Sequence, residues 1–268
     1  MSFAHCLFGT PRCSLDRVYG DLDRPPLRAR TLRASLATDG WDVRVVEATG
    51  STNADVAAAA RQGAAEGLVV VAEEQNAGRG RLGRQWVCPP RSALTFSVLL
   101  RPPAPSSWLP LLAGVCVIAA LREHAGVQAT LKWPNDVQVA GRKLGGLLGE
   151  VAGSAVVLGV GLNVSLRRAE LPRPDATSLM LEHAAVTDRD MLLKAILRSL
   201  ARGYAGWLSE PDALPPAYRS VCATLGRQVR IELPGGAVTT GRATDVDAAG
   251  GLIVDGVAYA AGDVVHVR

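Results

Sequence analysis

From Leu32 to Leu208 the apolar positions keep two rhythms, one helical and one of strands. Ser51-Thr52-Asn53 stands before the alanine-rich run Ala54 to Ala60 and offers three capping side chains, so a helix is predicted to begin there. Leu68 to Ala72 (LVVVA) and Leu94 to Leu100 (LTFSVLL) are β-rich runs of strand length, and Asn76 to Arg91 between them is a loop rich in glycine, arginine and proline. Trp108 to His124 reads as a long apolar helix and Thr130 to Trp133 as a strand. Gly141-Arg142 reads as the turn of a hairpin, and Ala155 to Val164 as a continuous apolar strand. A last long helix, Asp188 to Leu208, carries Leu192, Leu193, Ile196, Leu197 and Leu200 on one face.

Beyond residue 220 the rhythm shortens. Val229, Ile231 and Leu233 alternate, a Pro-Gly-Gly turn follows, and five short strands separated by glycines predict a small SH3-like β-barrel over 221–268. Helices and strands mix unevenly over 31–220, which predicts an α+β domain, a central mixed sheet layered with helices. Residues 1–30 show no periodicity and read as a disordered leader; a start of translation within it, for instance at Val18, is a second reading.

Composition adds limits. A chain of 268 residues, 48% apolar and without 18 consecutive apolar residues, predicts a soluble globular protein with no membrane span. The net charge of +4 is too small and dispersed to announce a nucleic-acid binder. Five scattered cysteines, Cys6, Cys13, Cys88, Cys116 and Cys222, lack zinc-ligand spacing and suit a reducing cytoplasm. The basic residues are 26 Arg and only Lys132, Lys143 and Lys194. Where arginine is so dominant, the remaining lysines mark places where a compact ammonium differs from a guanidinium.

Three motifs carry possible chemistry. Gly78-Arg79-Gly80-Arg81-Leu82-Gly83-Arg84 satisfies G-x-G-x-x-G, yet Gln85 to Pro90 cannot open the helix on which a dinucleotide phosphate would rest. An RGG-like nucleic-acid segment, a loop closing around a phosphate-bearing ligand and a plain surface loop are the other readings. In Lys132-Trp133-Pro134-Asn135-Asp136 the proline stiffens a strand end that Lys132 and Asp136 bracket, with Trp133 expected in the core. In the strand after Gly141-Arg142, alternation predicts Lys143, Gly145, Leu147 and Gly149 on one face; Val157, Gly159, Gly161 and Asn163 share a face of the next strand. Glycines on one face leave room for an elongated ligand. Lys194 reads as a solvated i,i+4 partner of Asp190, and His124 and His183 as structural or surface groups.

With Gly50-Ser51-Thr52-Asn53, Glu74-Gln75, Trp86 and Gly159-x-Gly161-x-Asn163, these motifs stand in an order and spacing that resembles biotin protein ligases, over roughly residues 45 to 180. The resemblance implies a class II synthetase-like catalytic domain and a two-step reaction. Biotin and ATP form biotinyl-5'-AMP, and a lysine of a biotin carboxyl carrier domain of acyl-CoA carboxylases then takes the biotinyl group. It further implies that Ser51, Thr52, Asn53 and Gln75 hold biotin, that Arg79, Gly80 and Arg81 close over biotin and the adenylate, and that Lys143 meets the biotin carboxylate and the α-phosphate. Arg84, Trp86, Lys132, Asn135 and Asn163 would serve the nucleotide together with Arg79 and Arg81, and Asp136 would place Mg2+ or the incoming amine. Lys143, Arg81 and Asp136 are then the catalytic set, with ATP, biotin and Mg2+ required and no resident metal. Without a helix-turn-helix pattern before Glu47, the expectation is a monofunctional cytoplasmic ligase, monomer or weak homodimer, that binds neither DNA nor membrane. A lipoate or octanoate ligase of similar fold and a basic nucleic-acid binding protein are the alternatives.

Overall fold

The computed structural model describes residues 23–267, so most of the expected leader lies outside the described residues. Helix α1 (Ala29–Ala37) leads into β1 (Asp42–Thr49), α2 (Thr52–Arg61), β2 (Leu68–Gln75) and β3 (Ala93–Leu100). Helix α3 (Trp108–Ala125) precedes β4 (Ala129–Lys132), β5 (Asp136–Val139), β6 (Arg142–Ala152) and β7 (Ala155–Asn163). These seven strands form one mixed sheet in the order β1-β2-β3-β7-β6-β5-β4, in which β1 runs parallel to β2 and the other neighbours are antiparallel. The α+β reading holds.

The sheet has two unlike faces. Leu94, Phe96 and Val98 of β3 and Leu158, Val160 and Leu162 of β7 point into the main core with α3 and α4 (Arg189–Ser209). Helix α3 is 18 residues long and apolar enough to cross a membrane by composition, but two thirds of it is buried against the sheet and α4, which makes it a core helix. On the opposite face, among the described residues, α2 packs over Leu68, Val70, Leu99 and Val157 through Val56 and Ala60. The rest of that face is open to a cavity.

After α5 (Leu214–Val221) come β8 (Gln228–Glu232), β9 (Val238–Val246), β10 (Leu252–Val254), β11 (Val257–Tyr259) and β12 (Asp263–His266), an antiparallel sheet in the order β11-β10-β9-β8-β12. Two indoles of the larger part grip its β9–β10 turn: Trp108 Nε1 donates to Ala248 O at 2.7 Å and Trp133 Nε1 to Gly250 O at 3.0 Å. Trp133 is 2% exposed, as expected of a core residue, and its peptide to Pro134 is cis.

Three readings change. Residues 23–30 are held against the fold, which corrects the leader over that stretch. Leu27 is buried and its N–H donates to Glu73 Oε1, Arg24 pairs with Glu170, and Arg28 pairs with Asp190. An extended strap with one buried apolar residue has no period to detect. Asp190 is thereby taken up by Arg28 and buried, which removes it as a solvated partner of Lys194. The hairpin turn is Ala140-Gly141, both at positive φ, and Arg142 already pairs with Val139.

The strap closes over Arg189 and Glu73, whose side chains are 5% and 2% exposed and 2.6 Å apart, with Arg189 also donating to Pro25 O at 2.7 Å. Arg189→Met is expected to strand the Glu73 carboxylate without its counter-charge and to cost about 3 to 5 kcal/mol, read by chemical denaturation.

Candidate active site

The site's geometry follows from one irregularity in β6. Gln138 pairs with Lys143 and Val137 with Gly145, so Leu144 is an extra residue, a β-bulge. Before the bulge Lys143 points into the cavity; at it Leu144 turns into the core, fully buried. Beyond it the pocket side carries Gly146, Leu148 and Glu150, paired across the ladder with Gly161, Gly159 and Val157, while Leu147 lies in the core and a Cβ on Gly149 would strike Pro110 at the start of α3. The simple alternation expected for β6 is therefore wrong from Gly145 onward, because one inserted residue reverses the faces of all that follow. The expected face of β7 is observed: Gly159 lies under Asn53 and Gly161 under Trp86.

Above this glycine floor is a cavity of about 570 Å³, and every residue carried over from the resemblance lines it. At one end stand Ser51, Thr52 and Asn53, all buried, with Gln75. Their polar atoms do not cap α2 as expected. Ser51 makes no side-chain capping bond, and the first helical N–H, that of Thr52, donates instead to Gln75 Oε1 at 2.8 Å. Freed from capping, Asn53 accepts from the Ser97 hydroxyl at 2.6 Å and donates to Glu150 Oε2 at 2.6 Å. Neither Ser97 nor Glu150 was picked out from sequence, although Thr95 and Ser97 are the polar positions of an otherwise apolar, alternating strand.

The roof is the glycine-arginine loop, which turns back on itself through a single 3-10 turn at Arg81–Gly83 and opens no α-helix. Gly80 N–H donates to Arg84 O at 2.7 Å and Trp86 N–H to Gly78 O at 2.8 Å, with the reversal at Leu82 and Gly83, both at positive φ. Arg79 leans to Glu150 at 3.5 Å, and Arg84 pairs with Asp263 of β12, so the small C-terminal sheet forms part of the cavity wall. Arg81 differs from both. Its Nη1 is buried without a hydrogen-bond partner among the described residues, and burial pushes its pKa down, opposed by Asp136 and assisted by Arg84. The Trp86 indole N–H is likewise buried, with only the weakly accepting Cys88 thiol beside it.

At the other end Lys143 Nζ lies 2.5 Å from Asp136 Oδ1, both partly buried. Burial lowers the Lys132 pKa; Asp136 counters this, Arg173 and Lys143 add to the lowering, and Asp175 opposes it. Asn135 and Asn163 are spent on the backbone, donating to Leu147 O and Thr177 O, each at 2.9 Å. Lys132, Lys143 and Arg81 thus converge with Asp136 as their nearby anion. Among the described residues no group of three or more His, Cys, Asp or Glu could hold a metal by itself. His124 lies by Glu123, and both histidines sit outside the cavity lining.

Residues 46–166 match the biotin/lipoate A/B protein ligase family and residues 224–267 the biotin protein ligase C terminal domain. The chain is 44% identical over 260 residues to the biotin--[acetyl-CoA-carboxylase] ligase of Mycobacterium tuberculosis, covering 91% of this chain and 97% of that protein. It is 31% identical over 208 residues to the bifunctional ligase/repressor BirA of Bacillus subtilis, covering 73% of this chain and 64% of that protein. Among solved structures, the biotin protein ligase from Aquifex aeolicus in complex with biotin and ATP is similar with a TM-score of 0.71 and 27% identity, covering 84% of this chain and 98% of that one.

The glycine floor is open to test. A Cβ at Gly161 would lie 2.7 Å from the Trp86 ring, nearer than real Cβ contacts come. Gly161→Ala is expected to push the indole off the sheet and to cost about 1 to 3 kcal/mol of stability, measured by chemical denaturation, with a change in Trp86 fluorescence reporting the displaced ring.

Proposed function

Because the chain belongs to the biotin/lipoate A/B protein ligase family, we infer that it activates biotin with ATP and transfers the biotinyl group to a lysine of a carrier domain of biotin-dependent carboxylases. The observation that carries this reading is the buried, unpartnered guanidinium nitrogen of Arg81 in a cavity that also holds Lys132 and Lys143. Cations kept in a partly dry pocket need an anionic ligand to repay their desolvation. A biotin carboxylate and a nucleotide phosphate together supply one.

Lys143 stands where these two anions meet. The carboxylate oxygen attacks the α-phosphorus and pyrophosphate leaves, so repulsion between like charges is greatest at that meeting point. A fixed ammonium there lowers the barrier by about 3 to 4 kcal/mol, the usual value of one well-placed electrostatic donor. Asp136, at 2.5 Å, holds the ammonium in place and aims it. Asp136 is also the carboxylate that would hold Mg2+ arriving with ATP, which neutralises the leaving pyrophosphate; such ions need only one or two protein carboxylates beside the phosphates.

The product is a mixed anhydride that water destroys. Arg79, Gly80 and Arg81 cover it from the loop, with Arg81 donating to the phosphate once Asp136 no longer has to serve both cations. Trp86, Arg84, Lys132, Asn135 and Asn163 bound the nucleotide end, and Ser51, Thr52, Asn53 and Gln75 the biotin end. In the second step the acceptor amine attacks the biotinyl carbonyl carbon and AMP leaves. No nucleophile from this chain enters either step. We further assign residues 31–220, with the strap before them, to the catalytic unit and 221–268 to a separate small domain, working in the cytoplasm as a monomer or weak homodimer without DNA.

Two measurements test the reading. Exchange of labelled pyrophosphate into ATP is expected with biotin and not with lipoate or octanoate; the reverse selectivity would overturn the choice of substrate. Lys143→Arg is expected to lower that exchange about 100-fold or more, with the fold intact by circular dichroism, because a planar fork cannot occupy the place of an ammonium held at 2.5 Å.

A further inference from the structure

Glu150 has no part in the roles above, yet it touches two residues that do. Its Oε2 accepts from Asn53 Nδ2 at 2.6 Å and its Oε1 lies 3.5 Å from Arg79 Nη1. The Asn53 oxygen, already accepting from Ser97, occupies the space a side chain on Gly159 would need, so the amide is boxed between β3, β6 and β7. An amide has two orientations of nearly equal shape. Only one presents N–H to a carboxylate; the other sets a carbonyl oxygen against it. The negative charge of Glu150 therefore selects how Asn53 faces the pocket.

The placement of that charge fits the ligand. Glu150 and Lys143 are seven residues apart on one strand, roughly 20 Å at strand spacing. The carboxylate is thus remote from the ammonium that meets the anions and close to the end proposed for biotin's ureido ring. That ring is uncharged and cannot neutralise a carboxylate, so Glu150 takes its counter-charge from Arg79 on the loop.

We propose that Glu150 is a positioning residue for biotin, orienting the Asn53 amide and tethering Arg79 over the same end of the pocket. The inference rests on the biotin ligase reading. Its test uses the full chain in pyrophosphate exchange, with KM for biotin and for ATP measured separately in Glu150→Ala, in the isosteric Glu150→Gln, in Asn53→Ala and in the double variant. Glu150→Ala is expected to raise KM for biotin about tenfold and to change KM for ATP less than about twofold, with Glu150→Gln in between. The double variant should lose clearly less than the two single losses combined, the non-additivity expected of residues in contact, because the Asn53 part of the Glu150 effect is already gone in Asn53→Ala. Unchanged KM for biotin in both Glu150 variants, equal losses for biotin and ATP, or additive effects in the cycle would each overturn the proposal. Should Glu150→Ala not fold, Glu150→Gln and its combination with Asn53→Ala decide alone. Absence of biotin-dependent exchange in the unaltered protein would overturn the ligase reading itself, and the two failures are told apart by that control.

Discussion

A single extra residue in β6, Leu144, sets the arrangement on which the rest of the site depends. A regular strand beginning with Lys143 toward the cavity would continue with Gly145, Leu147 and Gly149, sending Leu144, Gly146, Leu148 and Glu150 to the core. The bulge reverses this, burying Leu144 and Leu147 under the helices and turning Gly146, Leu148 and Glu150 to the pocket side, where Gly146 and Leu148 line the cavity. Such an insertion interrupts the ladder locally, and the loss is offset by a large apolar side chain buried at the bulge itself. Lys143 and Gly146 can then face the same ligand although the spacing between them is odd. Lys143 Nζ lies 3.7 Å from where a Gly146 side chain would begin.

Around that floor the charges are sorted by position. Lys143, Lys132 and Arg81 gather near Asp136, while Glu150 with Asn53 and Ser97 sits at the opposite end. A pocket of one sign throughout would hold a nucleotide but would not distinguish the neutral from the anionic end of an elongated ligand. Under the proposed reading the graded pocket gives such a ligand a direction. Burial makes this discrimination stronger, since charges removed from water interact over a lower effective dielectric, and the lowered pKa values of Arg81 and Lys132 are the cost of it. The loop that completes the pocket is tethered at both ends of this gradient, to Glu150 by Arg79 and to Asp263 of the C-terminal sheet by Arg84. The small sheet is therefore a wall of the cavity as well as an appendage held by Trp108 and Trp133.

Much of this was legible before the structure. The run LTFSVLL shows its strand and, in Thr95 and Ser97, its polar face; the leucines from Leu192 to Leu200 show the buried face of α4; Trp133 reads as core and is core. What misled was local evidence with a competing tertiary use. Ser51, Thr52 and Asn53 are good caps, and tertiary contacts with Gln75, Ser97 and Glu150 claim the neighbouring polar groups instead. Asp190 and Lys194 have ideal helical spacing, and Arg28 reaches Asp190 from 162 residues away. The strap before α1, residues 24–28, has no period because a segment without regular structure lying across a finished surface needs none.

The sequence by itself determined the α+β class, most of the elements though not α1, β1 or α5, through the family resemblance the set of residues that meet at one cavity and, through its scarce lysines, where an ammonium matters: Lys132 and Lys143 both line that cavity. These are local properties, or properties of spacing, and survive without knowing which strand lies beside which. Only the tertiary structure decided which face each side chain occupies and which polar group takes which partner. Those choices turn on a one-residue slip in a strand and on competition between donors and acceptors far apart in the chain. Both are settled when the sheet assembles, and neither leaves a period in the sequence.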